Sequence, residues 1–472
     1  MPDLSCNFAG IRSPNPFWLA SGPPTNTGYQ VRGAFDAGWG GVVWKTLTTD
    51  PIVNVASRYG GVSLNNQKLI ALNNIELISD RPLDDNLREM AEVKKRHPEC
   101  ALIASLMVES NEKSWQDIMR RVQDTGIDGV ELNFGCPHGM NERGMGSAVG
   151  QVPEYAQLIC QWAKSVARIP VLAKLTPNVT SIREIGRAVQ RGGADGISLI
   201  NTLNSIVGVD LDTLTPRPNV GDFSAHGGLA GPAIKPIALH MVSQIASDAE
   251  IALPISGIGG IRKWEDAAEF ILLGAGTVQV CAAVMHRGFG IIEAMRRGLE
   301  HWMAKKGFNS LADFQGHSVA RLKTWGELDL NYKVVAEINE STCIHCGICY
   351  ACCEDGCYQA IDWEKLDREK YTRLHGSPRK LKGEAAPNLK LDADGQMIDV
   401  FQVNTAACVG CNMCALACPV DGCITMKPVE TEKPPMSWNE YRALLKAGKI
   451  QPIPPKQAVK AIDAKSREPL TK

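Results

Sequence analysis

Two stretches, CIHCGICYACC at 343–353 and CVGCNMCALACP at 408–419, space their thiols as C-x2-C-x2-C-x3-C. That stagger suits a cube of iron and sulfide. A structural zinc site is the alternative, but zinc takes four thiolates around one ion and rarely draws three from so tight a run. In paired runs of this kind the fourth cysteine reaches across to the other cluster. One [4Fe–4S] set is then Cys343, Cys346, Cys349 and Cys418, and the other is Cys408, Cys411, Cys414 and Cys353. Cys352 adjoins Cys353, so the choice between them rests on analogy with the second run. The repeat continues as EDGCYQAI and VDGCITM, where Cys357 and Cys423 hold matching places expected to be core packing.

A different cysteine, Cys136, stands in GVELNFGCPHGMNERGMG, after an apolar run and before a glycine-rich loop. It could be a zinc ligand, a nucleophile, a proton donor or a small buried hydrophobe. No second cysteine lies at ligand spacing, and hydrolytic chemistry would leave the clusters without work. A thiol of unperturbed pKa about 8.5 is mostly protonated at neutral pH and can donate. The loop CPHGMNERGMGSAVG could swing it toward a substrate and exclude water. His138 could orient that loop, bind substrate, or do neither.

The elements that must position these groups are short apolar runs: 15–21, 40–46, 101–107, 129–135, 170–176, 196–202, 253–259 and 277–283. Near-continuous hydrophobicity marks parallel strands buried on both faces, and helix-period segments separate most of them. The expected fold is an α/β chain: a (β/α)8 barrel of the TIM type, then a small ferredoxin-like α+β domain with two clusters. An open doubly wound sheet is the alternative, weakened by the lack of a GxGxxG after the first strand. Strand ends supply Ser21, Lys45, Asn133 with Cys136, Lys174, and Asn201 with Thr202. The SGIGG turn at 256–260 and the QVCAA run at 279–283 stand where barrels hold phosphate. Lys45 and Lys174 converge on one mouth and would repel unless something anionic lay between them; a reduced flavin meets that need.

The 472 residues divide into a barrel at 1–310, a linker at 311–335, the cluster domain at 336–427 and a proline-punctuated arm at 428–472. A charged insert, 361–403, separates the cluster motifs and reads as a solvated excursion or a docking surface. Net charge is −1, so no basic field suggests nucleic acid or a membrane surface. The N-terminus shows no signal pattern and no run reaches a membrane span, which gives a cytoplasmic expectation. Eleven of the sixteen cysteines fall in 343–423, and with no sign of export they read as metal ligands rather than disulfides.

Residues 1–310 resemble the dihydroorotate dehydrogenase-type FMN barrels. With LNFGCPHGMNERGMG, AKLTPNV, LINTLNS and the appended cluster motifs, the chain is similar to the dihydropyrimidine dehydrogenase family, most closely its bacterial pyrimidine-site subunit. The resemblance implies reduction of uracil or thymine, with hydride from flavin N5 to C6 and a proton from Cys136 to C5. It implies that Asn74, Glu76, Ile78, Asn133, Gly135, Asn201 and Thr202 surround the pyrimidine. It also implies that Ser21, Lys45, Thr46, Lys174, Gly231, Gly259, Gly260, Cys281 and Ala282 contact FMN. Gly135 replaces the family's usual serine, which puts substrate specificity in question, and the insert at 361–403 is a second departure. The FAD and NADPH domains fused in the animal enzymes have no counterpart here. A separate FAD- and cluster-bearing subunit that oxidises NAD(P)H is therefore expected, in a hetero-oligomer with a dimer of barrel subunits. Rival readings are dihydroorotate oxidation, reduction of another cyclic amide or enoyl compound, reduction of uridines in transfer RNA, and an electron relay with a vestigial barrel.

Overall fold

The computed structural model describes residues 2–50, 52–64, 67–136, 144–375 and 397–454. His138 and the rest of 137–143 in the Cys136 loop lie outside the described residues, as do the middle of the insert and the end of the arm. The chain forms two compact units, Met1–Leu322 and Lys323–Lys472, and the division falls within the segment expected as a linker. No helix among the described residues is long and apolar enough to cross a membrane.

The first unit is a closed barrel of eight parallel strands. They are β1 (Phe17–Leu19), β2 (Gly41–Leu47), β3 (Ala101–Leu106), β4 (Gly129–Asn133), β5 (Val171–Lys174), β6 (Gly196–Leu199), β7 (Ile255–Ile258) and β8 (Ala275–Val280). They pair in chain order, and β8 closes onto β1 through Val278↔Phe17 to Val280↔Leu19. Every residue of β2, β3 and β4 is buried, which is why these segments read as unbroken apolar runs. A helix follows each strand. In Glu112–Gln123, Trp115, Ile118, Met119 and Val122 repeat at helical spacing and are buried, while the Asn111 side chain caps the start by accepting from Ser114 N at 2.9 Å.

The long excursions after β2 and β6 form a four-stranded antiparallel sheet of Leu203–Ser205, Gly227–Ala230, Gln67–Asn74 and Tyr59–Leu64, in that order. Its register places Gly228 opposite Asn74. This sheet carries Asn74 and leads directly into Glu76.

In the second unit β9 (Lys333–Ile338) pairs antiparallel with β12 (Ile424–Val429). Both motif loops enter short helices, Ile348–Gly356 and Met413–Ala417. The ends of the insert are not a solvated excursion. They form β10 (Ile361–Asp367) and β11 (Met397–Val403), paired from Ile361↔Val403 to Asp367↔Met397, because Leu366, Tyr371, Ile398 and Val400 bury against one another. The described part of the C-terminal arm, 428–454, packs against its own chain. Trp438, at the start of the helix Trp438–Lys446, packs on Trp325 with ring centroids 5.7 Å apart, and Leu330 N donates to Met436 O at 2.9 Å.

Candidate active site and cluster cavities

The C-terminal mouth of the barrel opens into a cleft whose empty space, including the part open to solvent, is about 1200 Å³. Strand ends β1, β2, β4, β5 and β6 bring Ser21, Lys45 with Thr46, Asn133 with Cys136, Lys174, and Asn201 with Thr202 to its wall. The covering sheet and the chain after it add Asn74, Glu76 and Ile78. The turns near the mouth add Gly231, Gly259, Gly260, Cys281 and Ala282. Gly135 is buried behind this wall, where its N–H donates to Asn133 Oδ1 at 3.1 Å.

The polar side chains hold each other in place. Thr46 Oγ1 lies 3.2 Å from Ser21 Oγ and accepts from Asn133 Nδ2 at 3.0 Å. Asn133 Oδ1 also accepts from Asn201 Nδ2 at 2.9 Å, and Asn201 Oδ1 accepts from Thr202 N at 2.8 Å. Each of these two amide nitrogens keeps a second hydrogen for a ligand. Gly135 is integral to the pairing: a Cβ there would lie 2.5 Å from both Cβ and Nδ2 of Asn201. The Cys136 residue is buried and packs with Ile78, Met107 and Met145.

The lysines differ from expectation. Lys45 donates to Glu76 Oε1 at 2.7 Å, and Glu76 also meets Arg58 at 3.1 Å and accepts from the Tyr59 hydroxyl. Lys174 lies 3.5 Å from a carboxylate oxygen of Glu131, a residue with no exposure at all. Because each ammonium has its own carboxylate, their mutual repulsion does not by itself demand an anion between them. Glu131 does not stand out in GVELN, which reads as a buried strand; a carboxylate inside such a run is itself a signal that a buried cation faces it. Arg58 and Tyr59 gave no such signal.

Gly259 and Gly260 take φ of +132° and +74°. A Cβ on either would come within 2.7 Å of Ala238 Cβ or Lys235 Cβ respectively. Only glycine fits this close approach, and it leaves bare backbone facing the cavity, as a phosphate cradle requires. Arg262 and His286 line the same space. Burial, with the charge of Arg287 adding to it, pulls His286 below the usual imidazole range. Burial pushes the Cys281 thiol up to about 11, so it stays protonated.

In the second unit Cys343, Cys346, Cys349 and Cys418 line one cavity, and Cys353, Cys408, Cys411 and Cys414 line another. Cys352 lines neither, while the Cys353 thiol accepts from Ala360 N at 3.2 Å. Cys423 and Cys357, expected as core packing, each stand in a cavity wall as a fifth thiol. No trio of Cys, His, Asp or Glu among the described residues converges tightly enough for a single ion, so the thiols ring a space rather than a point. Burial pushes Cys343 and Cys349 to about 12 and Cys414 to about 11; iron would displace those protons. The loops match in backbone as well: His345 and Gly347 have positive φ, as do Gly410 and Asn412. His345 holds this conformation with its ring buried, Nδ1 2.7 Å from Asp399 O and Nε2 3.3 Å from the Tyr371 hydroxyl.

The dihydroorotate dehydrogenase family model matches residues 3–303, and a 4Fe-4S dicluster domain matches residues 342–422. The chain is 42% identical over 367 residues to the NAD-dependent dihydropyrimidine dehydrogenase subunit PreA of Escherichia coli, covering 78% of this chain and 89% of that protein. It is 42% identical over 347 residues to the chloroplastic dihydropyrimidine dehydrogenase (NADP(+)) of Arabidopsis thaliana, covering 71% and 82%. The catalytic subunit of dihydroorotate dehydrogenase B (NAD(+)) from Pyrococcus abyssi is 35% identical over 315 residues, covering 66% of this chain and 98% of that one.

Proposed function

We propose that this chain, which belongs to the dihydroorotate dehydrogenase family and is an oxidoreductase of it, reduces uracil or thymine to the 5,6-dihydropyrimidine. The observation that carries the reading is the meeting of Cys136, Asn74, Asn133, Asn201, Lys45 and Lys174 on one cavity beside a glycine cradle. The family implies FMN and the dicluster domain implies iron–sulfur clusters. The cradle at Gly259 and Gly260 and the two four-thiol sets fit those groups. Held there, FMN would supply hydride chemistry and the clusters would supply single-electron transfer.

The chain's own groups do the rest. Asn74, Asn133 and Asn201 orient the ring, since carboxamides can donate to its carbonyls and accept from its N–H groups; Glu76, Ile78 and Thr202 complete that wall. Lys45 and Lys174 would offset the negative charge of a reduced flavin held in this cavity. Ser21, Thr46, Gly231, Gly259, Gly260, Cys281 and Ala282 hold the remainder of the flavin. Cys136 gives its thiol proton to C5 from the opposite face and regains it from solvent. The eight thiols already grouped hold two [4Fe–4S] clusters. Electrons come from NAD(P)H through a separate FAD- and cluster-bearing subunit. The E. coli relative, named as an NAD-dependent enzyme's subunit, supports that arrangement.

The test is anaerobic stopped-flow absorbance of the dithionite-reduced protein mixed with uracil, thymine, orotate or buffer. Flavin reoxidation by uracil or thymine, lost in Cys136→Ala, is the expected result. Dihydroorotate oxidation is the second reading, favoured by the similarity spanning nearly all of the P. abyssi subunit. Reoxidation by orotate alone would put it first.

A further inference from the structure

Glu131 carries a charge that the chemistry above does not use. It precedes Asn133 by two positions on β4, so both side chains leave the same face of the strand. Glu131 does not line the mouth cavity, yet two of its partners do: Lys174 and Gln279. Gln279 Nε2 donates to Glu131 Oε2 at 3.0 Å, and Ser198 Oγ donates to the same oxygen at 2.6 Å. A second tier continues through Ser256, whose hydroxyl takes bonds from Gln279 at 3.3 Å and from Thr277 at 2.8 Å. One carboxylate thus ties β4, β5, β6 and β8 together beneath the cavity.

The two lysine pairs are built differently. The Lys45–Glu76 contact is 2.7 Å, a full charge-assisted hydrogen bond. The Lys174–Glu131 contact is 3.5 Å, and the nearer carboxylate oxygen, Oε1, makes no hydrogen bond. Ser198 and Gln279 draw the other oxygen away, so the ammonium is balanced in charge while its hydrogens remain for a ligand. Resting on the flavin reading, we infer that Glu131 is a positioning residue. It holds Lys174 and Gln279 on the cavity floor and sets how much positive charge the flavin's N1–C2=O edge meets.

The test compares flavin midpoint potentials of the full-length protein by anaerobic dye-equilibrated titration, with flavin content and thermal unfolding measured alongside. Glu131→Gln removes the opposing charge and should shift the two-electron reduction equilibrium about tenfold toward the reduced form, roughly 30 mV upward. Glu131→Asp, which keeps the charge, should stay near wild type. Ser198→Ala keeps both charges and frees the carboxylate to close on Lys174, so its potential should move downward. That variant decides the matter if Glu131→Gln does not fold. A purely structural role would move unfolding and leave these opposite shifts unseen. A flavin-loaded wild type whose Glu131→Gln and Ser198→Ala potentials match its own overturns the role of Glu131 alone. A wild type that binds no flavin overturns the flavin reading, and this inference with it.

Discussion

The barrel gathers its cavity wall from residues scattered between Ala20 and His286, at the ends of several strands and in the turns beyond them. The cluster unit gathers its cavity walls mainly from two contiguous runs, 343–353 and 408–418. Their cores differ in the same way. The barrel core is aliphatic and aromatic, with Trp44, Trp115 and Phe270 fully buried, and its site residues stand at the rim. In the cluster unit Cys349, Cys353, Cys414 and Cys423 are themselves core residues, among few apolar neighbours. A fold that buries its own apolar surface can carry a redox group as a guest. A small fold whose interior is thiols depends on what those thiols hold.

The sharpest break of this comparison is iron removal. Chelation under reducing conditions should cost the cluster unit on the order of 10 kcal/mol. Hydrogen exchange should show β9 to β12 losing protection while β1 to β8 keep theirs; equal retention would mean the thiol core stands unaided. Because burial holds the thiols of Cys343 and Cys349 protonated up to about 12 without iron, iron uptake must release protons. It should therefore weaken as pH falls, measured as the iron affinity of the stripped protein between pH 8 and pH 6.

Next in size, Cys353→Ala should halve the bound iron and stop electron delivery, whereas Cys352→Ala should leave the iron content unchanged; iron assay with electron paramagnetic resonance distinguishes them. Cys136→Ala should slow pyrimidine-driven flavin reoxidation by about 10²–10⁴-fold. Smallest, Tyr371→Phe removes a hydroxyl that donates to Glu340 at 2.9 Å and lies against His345. The loss should be about 1 kcal/mol, seen as denaturant sensitivity of the cluster unit alone.

The same contrast explains what could be read in advance. The eight barrel strands were legible because burial on both faces makes each an unbroken apolar run. The thiol spacing was legible because cluster ligands are local. The covering sheet was not: YGGVSL, QKLIALNN and GGLA are glycine- or asparagine-bearing and not continuously apolar. Their pairing joins residues as distant as Asn74 and Gly228, which no local pattern records. The insert misled because charged residues interrupt IDWEKLD, although Ile361 and Leu366 are buried. Nothing local in the sequence separates Cys352 from Cys353; in the helix Ile348–Gly356 Cys353 is buried and Cys352 partly exposed.

Gly135 and Asn201 have a consequence for how this site can change over generations. The space that any side chain at 135 would enter is held by the Cβ, Cγ and amide nitrogen of Asn201, so the two positions are not independent letters. A side chain at 135 requires the Asn201 side chain to move aside, so a change at either position is felt at the other.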